Sequence, residues 1–544
     1  MYEESTPVLI IGGGLVGLSA SLFLSWRGVP SVLVERHPGT SVHPRAWGLY
    51  PRTLELLRAA GVEKEVMAES AGFAGHVLNG RVESLAGAEI AVGRIPEPDD
   101  VGAISPVERI VSLSQDRVEP ILLERARRRG ADVRFGTEVL DLDPGEDGVA
   151  VRVRDRATGQ ESVLRAGYVI AADGAHGATR ERAGIGRRGR GVLRHQMSVL
   201  FDADLAGPLR GRRFAVCQVA NDRVEGVLGH DDSLTRGTLI VTYRPERGES
   251  PGDFTEERCA GLVRAALGVP DARVGVRQIL PWEMAALTAE RFRWGRVFLA
   301  GDAAHLMPPV GGYGANCGVQ DAYDLAWKLE AVTEGTAPPE LLDTYDEERR
   351  PVAEATVRQA VARLAVRSGR RPAGPDLAEP LAVTFGYRYR SSTVRDGDGP
   401  AHGDGGEGAD GFVHPALLSG RPGTRAPHLW VRVDGARVST LDLFGPRPVL
   451  LAGSAGVERA GDLRALAERL GVPLDVYVLG RDVLAQDGAD PHAAFGIGPQ
   501  GMSLVRPDGF VSHRSPAGGL ADSAVAGALA RMLRRVPVDV PTGL

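Results

Sequence analysis

The sequence predicts an α/β protein in which a parallel sheet is interrupted by an antiparallel one and followed by a smaller α/β unit. Three observations predict it. Val8 to Arg36 reads as a buried strand, a glycine turn, a helix and a second strand within about 30 residues. Gly295 to Leu329 repeats strand, turn and helix far downstream. Between them, residues 184 to 292 change to apolar-polar alternation, the period of half-buried strands.

In the first unit, Val8 to Ile11 is continuously apolar, as a strand buried on both faces must be. Gly12, Gly14 and Gly17 then fit the spacing of a dinucleotide turn. Gly12 would permit the turn, Gly14 the approach of a pyrophosphate and Gly17 close packing of helix on strand. Val16 lies among them. The phosphates would meet free N–H groups at the helix N-terminus. Gly28 stands where that helix should stop. Glu35 ends the next apolar run, where a carboxylate accepts hydrogen bonds from a ribose diol and repels a 2′-phosphate; Arg36 follows it. This motif alone does not separate NAD from FAD.

The second unit separates them. Asp302 follows Gly301 at the end of an apolar strand, placed for a sugar-like hydroxyl chain, and the turn Pro309 to Asn316 offers backbone N–H groups to a partly negative ring edge. On these residues the chain resembles the FAD-dependent aromatic hydroxylases of the para-hydroxybenzoate hydroxylase type. The resemblance implies that Gly301 and Asp302 hold the ribityl chain and that Pro309, Gly312, Gly314, Ala315 and Asn316 lie against the isoalloxazine ring. It implies that Arg45, in a Pro-Arg-Ala context, reaches the flavin, and that Gln115, at the start of a helix over 115 to 129, touches it. Tyr168 to Arg180, with its Asp173-Gly174 turn, matches a third motif that lies near the FAD pyrophosphate. Val139 falls in a small meander that covers the adenine side.

The resemblance sharpens the fold class to a Rossmann-like FAD-binding domain with an inserted antiparallel-sheet substrate domain and a C-terminal thioredoxin-like domain. The divisions it suggests are 1–75, 103–183 and 291–394 for FAD, 76–102 and 184–290 for the substrate, and 412–544 for the tail. The tail has no cysteine, which excludes a dithiol role and leaves a structural or oligomer-contact one. Within it, Pro448 to Leu451, Asp462 to Leu470 and Leu474 to Leu479 read as β-α-β. Ser503 to Val511 reads as a hairpin through Pro507-Asp508-Gly509, and Ala521 to Arg534 as a last helix. Residues 371 to 375 and 395 to 411, rich in Gly, Pro and Asp, read as linkers, and Pro96 to Asp100 as a loop.

Composition bounds the rest. At 544 residues, 43% hydrophobic and 25% charged, the chain is globular and needs several cores. A net charge of −6 gives no basic patch and no nucleic-acid partner. All the bases but Lys64 and Lys328 are arginine. Cys217, Cys259 and Cys317 are too scattered for a disulfide framework, which suits a reducing cytoplasm. The apolar run at Val8 is already the first strand, so no leader is read, and no apolar stretch approaches the ~18 residues of a membrane span. The histidines form no H-E-x-x-H arrangement, so no metal is expected.

Hydroxylating a phenol with O2 needs a flavin that forms a C4a-hydroperoxide, and no side chain replaces it. The protein would supply geometry and a dry site. Arg45, Pro309 and Gly314 are the residues expected to position the ring and stabilise charge; no acid or base is assigned. Without a second dinucleotide turn, NADPH or NADH would bind transiently. Trp47 reads either as loop packing or as cavity wall. Trp282 and Met284 read as cavity lining or core, and Tyr313 as a substrate contact. Phe385 to Ser392 resembles a segment of polyketide hydroxylases. The resemblance thus implies an FAD-dependent monooxygenase acting on a small-molecule polycyclic aromatic polyketide, with homo-oligomerisation left open. A Baeyer-Villiger or rearranging flavoenzyme and a non-catalytic FAD-fold protein are the alternatives.

Overall fold

Val8, Leu9 and Ile10 are sealed from solvent because Glu3–Ile11 runs through the middle of a parallel sheet. Ser31–Glu35 pairs on one side and Glu161–Ala171 on the other, with Asp132–Phe135 and Val297–Leu299 outside them. In this computed structural model, residues 3–95, 101–107, 109–370, 372, 374–394 and 411–536 are described. The loop Pro96 to Asp100, nearly all of the linker 395–411 and residues 371 and 373 of the other linker lie outside them.

The helix Leu15–Trp26 follows the first strand and packs on Tyr313–Thr333 and Gln115–Arg128. Gln115–Arg128 starts at Ser114, but the Ser114 side chain makes no capping hydrogen bond; Gly130, with φ +88°, ends the unit. Thr137–Pro144, Val149–Asp155 and the first half of Glu161–Ala171 form the antiparallel meander, with Val139 facing Val153.

The antiparallel alternation builds a second sheet of eight strands. Arg187–Asp202 lies at its centre, between Gly275–Ala289 and Arg236–Tyr243. Glu225–His230, Phe214–Ala220, Leu78–Val82 and Glu89–Arg94 continue it, all antiparallel except Phe214–Ala220 with Leu78–Val82. The central strand begins in an arginine- and glycine-rich stretch that the ladder to Gly275–Ala289 holds. Two details cross the divisions expected from sequence. The edge strand His305–Leu306, from the flavin segment, pairs with Leu287 and Thr288 of this sheet. Val101, placed by sequence with the substrate unit, packs instead with Ile104, Leu381 and Phe385 of the flavin segments.

The two faces of this sheet differ as the period demands. Met197, Val199 and Phe201 point into a core closed by Cys259, Val263 and Ala266 of the helix Glu256–Leu267. Gln196, Ser198 and Thr238 point the other way and are also buried.

In the C-terminal part, Asp475–Val478 runs parallel to Val449–Ala452, and Met502–Val505 and Val511–Ser515 add antiparallel. Helices Ala460–Arg469 and Asp522–Met532 cover one face, where Trp327 and Leu341 of the flavin-binding segment join the same core. A further three-stranded sheet, Trp430–Val433 with Ala436–Ser439 and Leu484–Ala485, is not read from the sequence.

Buried charges bind this part to the rest. Glu55 accepts from Arg52, Arg425 and Ser105. Arg506 and Lys328 donate to Glu348 at 2.6 and 2.8 Å. Burial alone would raise the Glu348 carboxyl, but Arg506 and Lys328 outweigh it and hold it well below the usual range. Removing one member would strand a charge, at a cost of about 3–5 kcal/mol.

A histidine pair closes one flank of the antiparallel sheet. His76 Nε2 lies 3.3 Å from His230 Nδ1, and His230 Nε2 accepts from the Phe214 N–H. Burial pushes His230 down to about 4. The folded state therefore keeps it neutral while the unfolded chain protonates near 6.5. Stability is complete above about pH 6.5 and falls as pH drops towards 4. Urea midpoints should decline across that window, and His230→Gln should flatten the decline; an unchanged pH profile would contradict the assignment.

Candidate active site

Three turns meet. Gly12, at φ +105°, has no room for a side chain, since a Cβ would stand 2.3 Å from the Ala172 carbonyl oxygen. That contact brings the Asp173-Gly174 turn against the first glycine turn. At Gly17 a Cβ would fall 1.9 Å from Gly12 O, which is the close helix-strand approach expected of this position. Gly14 is less crowded: its Cβ would come no nearer than 3.8 Å to Glu119 and 4.0 Å to Gln115, so its backbone stays open beside them.

Val16 carries the long-range join. Its Cγ2 would lie 2.7 Å from a Cβ on Gly301 and 2.5 Å from one on Gly318. The turn at residue 301 and the helix Tyr313–Thr333 therefore close on the first unit only because both positions lack a side chain. Gly312, at φ +68°, begins that helix with no side-chain cap, leaving its first N–H groups to other acceptors.

Side chains fix this arrangement from behind. Asn316 Oδ1 accepts from the Tyr50 N–H at 2.9 Å and from Thr53 Oγ1 at 2.6 Å; its Nδ2 donates to Gly48 O and Gly312 O. The amide is fully used, so what Asn316 can offer a ligand is backbone. Asp321, which the sequence reading misses, accepts from the Gly301 N–H at 3.1 Å, His305 Nε2 at 2.7 Å and Arg349 Nε at 2.8 Å. Burial opposes the charge on Asp321, but His305 and Arg349 pull its carboxyl below the ordinary range. His305, Cys317 and Asp321 bring ligand atoms within 4.8 Å of one another, yet Arg349 already places a guanidinium against Asp321 and Cys317.

Asp302 is exposed to solvent but surrounded by protein, and burial raises its carboxyl despite the pull of His305, Arg45 and Arg187. Arg187 is a second residue missed by sequence. Its Nη2 donates to Ala175 O, and its guanidinium faces the charges of Asp302 and Asp173. One Asp173 oxygen accepts from Thr179; the other is buried without a described partner. Arg45 is exposed, and its guanidinium makes no hydrogen bond with described residues. Glu119, fully buried, receives Gln115 Nε2 and the Ser41 N–H, and burial raises its carboxyl. Glu35 accepts from the Gly13 N–H at 2.7 Å and from His37; Arg36 beside it is exposed.

A cleft lined by Pro44, Trp47, Phe73, Ser114, Leu200 and Thr238 joins the Arg45 loop to the antiparallel sheet. Trp47 stands 3.5 Å from where a Cβ of Gly229 would be. Trp282 is half-buried on the same face and donates to Ser198 Oγ at 2.9 Å; Met284, two residues on, is buried. Tyr313 is not brought to this face. Its ring, 4% exposed, stacks on Tyr50 within the buried cluster that also holds Val352 and Phe510. The larger hollow, about 640 Å³, lies at the far end of the sheet by Asp202 and Gly275, away from all three turns.

Comparison with known proteins settles the kind of nucleotide. Residues 5–360 match the FAD binding domain model, and residues 419–536 match the C-terminal domain of aromatic-ring hydroxylases. The chain belongs to the FAD-binding aromatic-ring hydroxylases. It is 42% identical, over 94% of both chains, to 4-methyl-5-nitrocatechol 5-monooxygenase from Burkholderia sp. It is 43% identical to tetracenomycin A2 monooxygenase-dioxygenase from Streptomyces glaucescens, covering 95% of this chain and 94% of the relative. A solved ternary complex of aklavinone-11 hydroxylase with FAD and aklavinone matches with a TM-score of 0.87 and 39% identity, covering 98% of this chain and 100% of that one.

As a family member the chain is an FAD-dependent monooxygenase, and its residues fit the cofactor. The Gly12 turn leaves room for close approach of a pyrophosphate, the uncapped helix at Gly312 offers N–H donors at a positive helix end, and the unpaired Asp173 oxygen offers an acceptor suited to a sugar hydroxyl. Gly318→Ala should test the join. Overpacking against Val16 costs about 1–3 kcal/mol, so FAD affinity by flavin fluorescence should fall roughly tenfold, and Val16→Ala should recover part of it. Unchanged affinity in Gly318→Ala would contradict the packing.

Proposed function

We propose that this monooxygenase hydroxylates a polycyclic, phenolic substrate of the polyketide type, using NAD(P)H and O2. The observation that carries the reading is the face of the antiparallel sheet turned towards the flavin-binding turns. Gln196, Ser198 and Thr238 are buried there beside Trp282 and Met284. A flat ring system needs aromatic and thioether surface, and its hydroxyl and carbonyl groups need buried hydrogen-bonding partners. Two of the relatives named above, acting on tetracenomycin A2 and aklavinone, support a substrate of several fused rings.

Each part of the site then has a task. Backbone N–H groups around Gly12, Gly14 and Gly17 hold the pyrophosphate, Glu35 the ribose and Asp302 the ribityl hydroxyls. The N–H groups of Gly314 and Ala315, at a positive helix end, face the ring edge and favour negative charge there. Bound FAD supplies the oxygen-activating redox chemistry that side chains lack. Arg45, free of described partners and next in sequence to Pro44 of the cleft wall, holds the ring in place. Trp47 and Phe73 exclude water from the junction with the antiparallel sheet. The parallel sheet serves as the cofactor unit, the antiparallel sheet as the substrate unit and the C-terminal part as a structural brace.

The Burkholderia relative, which acts on a nitrocatechol, favours a second reading with a single-ring catechol in the same chamber. Incubation of the FAD-loaded enzyme with NADPH and isotopically labelled O2, over a panel of catechols and polycyclic phenols, separates the two. One labelled oxygen should enter a fused-ring phenol with the ring system intact. Label only in catechols would favour the second reading, and ring-opened lactones or no label at all would overturn hydroxylation.

A further inference from the structure

We propose that Arg194, Arg367 and Gln218 form a subsite for an acidic group of the aromatic substrate, a carboxylate or an ionised phenol or enol. The inference rests on the chamber assignment above and goes beyond it by naming the charge the chamber accepts. Arg194 lies on Arg187–Asp202 in the same alternate set as Gln196 and Ser198, and it is the cross-strand partner of Met284. Gln218 lies on the same face, because its neighbours Cys217 and Val219 point into the opposite core. Arg367 ends the helix Asp343–Arg367, and its guanidinium meets Gln218 of this face. The Gln218 amide orientation that satisfies both partners accepts from Arg367 Nε at 2.8 Å and Nη2 at 2.9 Å.

The two guanidinium groups have no acid to answer them. Among the described residues neither the half-buried Arg194 nor Arg367, which keeps an exposed edge, forms an ion pair, whereas an acid accompanies the half-buried Arg293 and Arg350, Asp343 and Asp346 respectively. Burial and the charge of Arg194 both act against the charge on Arg367, and no described anion offsets them. A planar fork fixed by one amide, with its remaining donors uncommitted, suits bidentate recognition of a carboxylate or of adjacent phenolic oxygens. The apolar part of the same ligand would meet Met284 and Trp282, one strand away. An acid on the ring system would thereby fix which edge of it is presented for reaction.

An anion could also come from the nicotinamide nucleotide, so the test carries both sources. The FAD-loaded wild type, Arg194→Gln and Arg367→Gln are titrated with a dihydroxyanthraquinone carboxylic acid and with its methyl ester, following the flavin absorbance. NADPH and NADH concentration dependence is measured in parallel. The expected result is at least tenfold weaker binding of the acid in each variant, less than twofold change for the ester, and unchanged dependence on both nucleotides. Equal losses for acid and ester, or no loss for either, would overturn the subsite. A loss confined to NADPH would assign the arginines to its phosphate and overturn it too. If the wild type bound neither probe, the aromatic chamber itself would fall. Flavin content and thermal midpoint of each variant separate a misfolded protein from a specific effect.

Discussion

The architecture depends on a packing constraint at one side chain. Val16 has Gly301 on one side and Gly318 on the other, and neither can carry a Cβ without entering its van der Waals surface. A turn from the start of the chain and a turn some 285 residues later are thereby held as one wall. Protein interiors are close-packed, so the join has two states, made or broken, with little between. Every task assigned to the nucleotide site presupposes that it is made.

Two kinds of polar contact keep it made. Asn316 spends its whole amide on Gly48, Tyr50, Thr53 and Gly312, tying the later turn to the Arg45 loop. Asp321 holds the Gly301 N–H while His305 and Arg349 neutralise it. Arg349 also reaches the Tyr389 hydroxyl, and Arg506 and Arg425 continue the chain of buried charges into the C-terminal part. The thioredoxin-like character expected there brings no thiol; what the part contributes is a rigid back to the flavin helix, against which Trp327 and Leu341 pack.

Local chemistry was legible in the sequence where backbone and ligand make the same demand. Gly12, Gly17 and Gly301 stand at positions whose geometry forbids a side chain, and their spacing announces it. The apolar-polar alternation over residues 184 to 292 likewise announced antiparallel strands there. Facing was harder. Tyr313 opens a helix, and nothing in its neighbours tells that its ring stacks on Tyr50. Asp321, Arg349, Glu119 and Arg187 were not readable as site residues, because each acts through partners 4 to 28 positions away or on other elements, where no period or motif connects them. The hairpin at Trp430 was missed since it is short and its partner strand Leu484–Ala485 is distant in sequence.

The most direct measurement is a crystal structure of the protein with FAD. The pyrophosphate is expected on the N–H groups that follow Gly12, the ribityl chain beside Asp302, and the edge of the ring at the uncapped start of Tyr313–Thr333. A flavin ring held away from Gly314 and Ala315, or the turns at Gly12 and Gly301 opening into separate cavities, would contradict the convergence on which the rest is built.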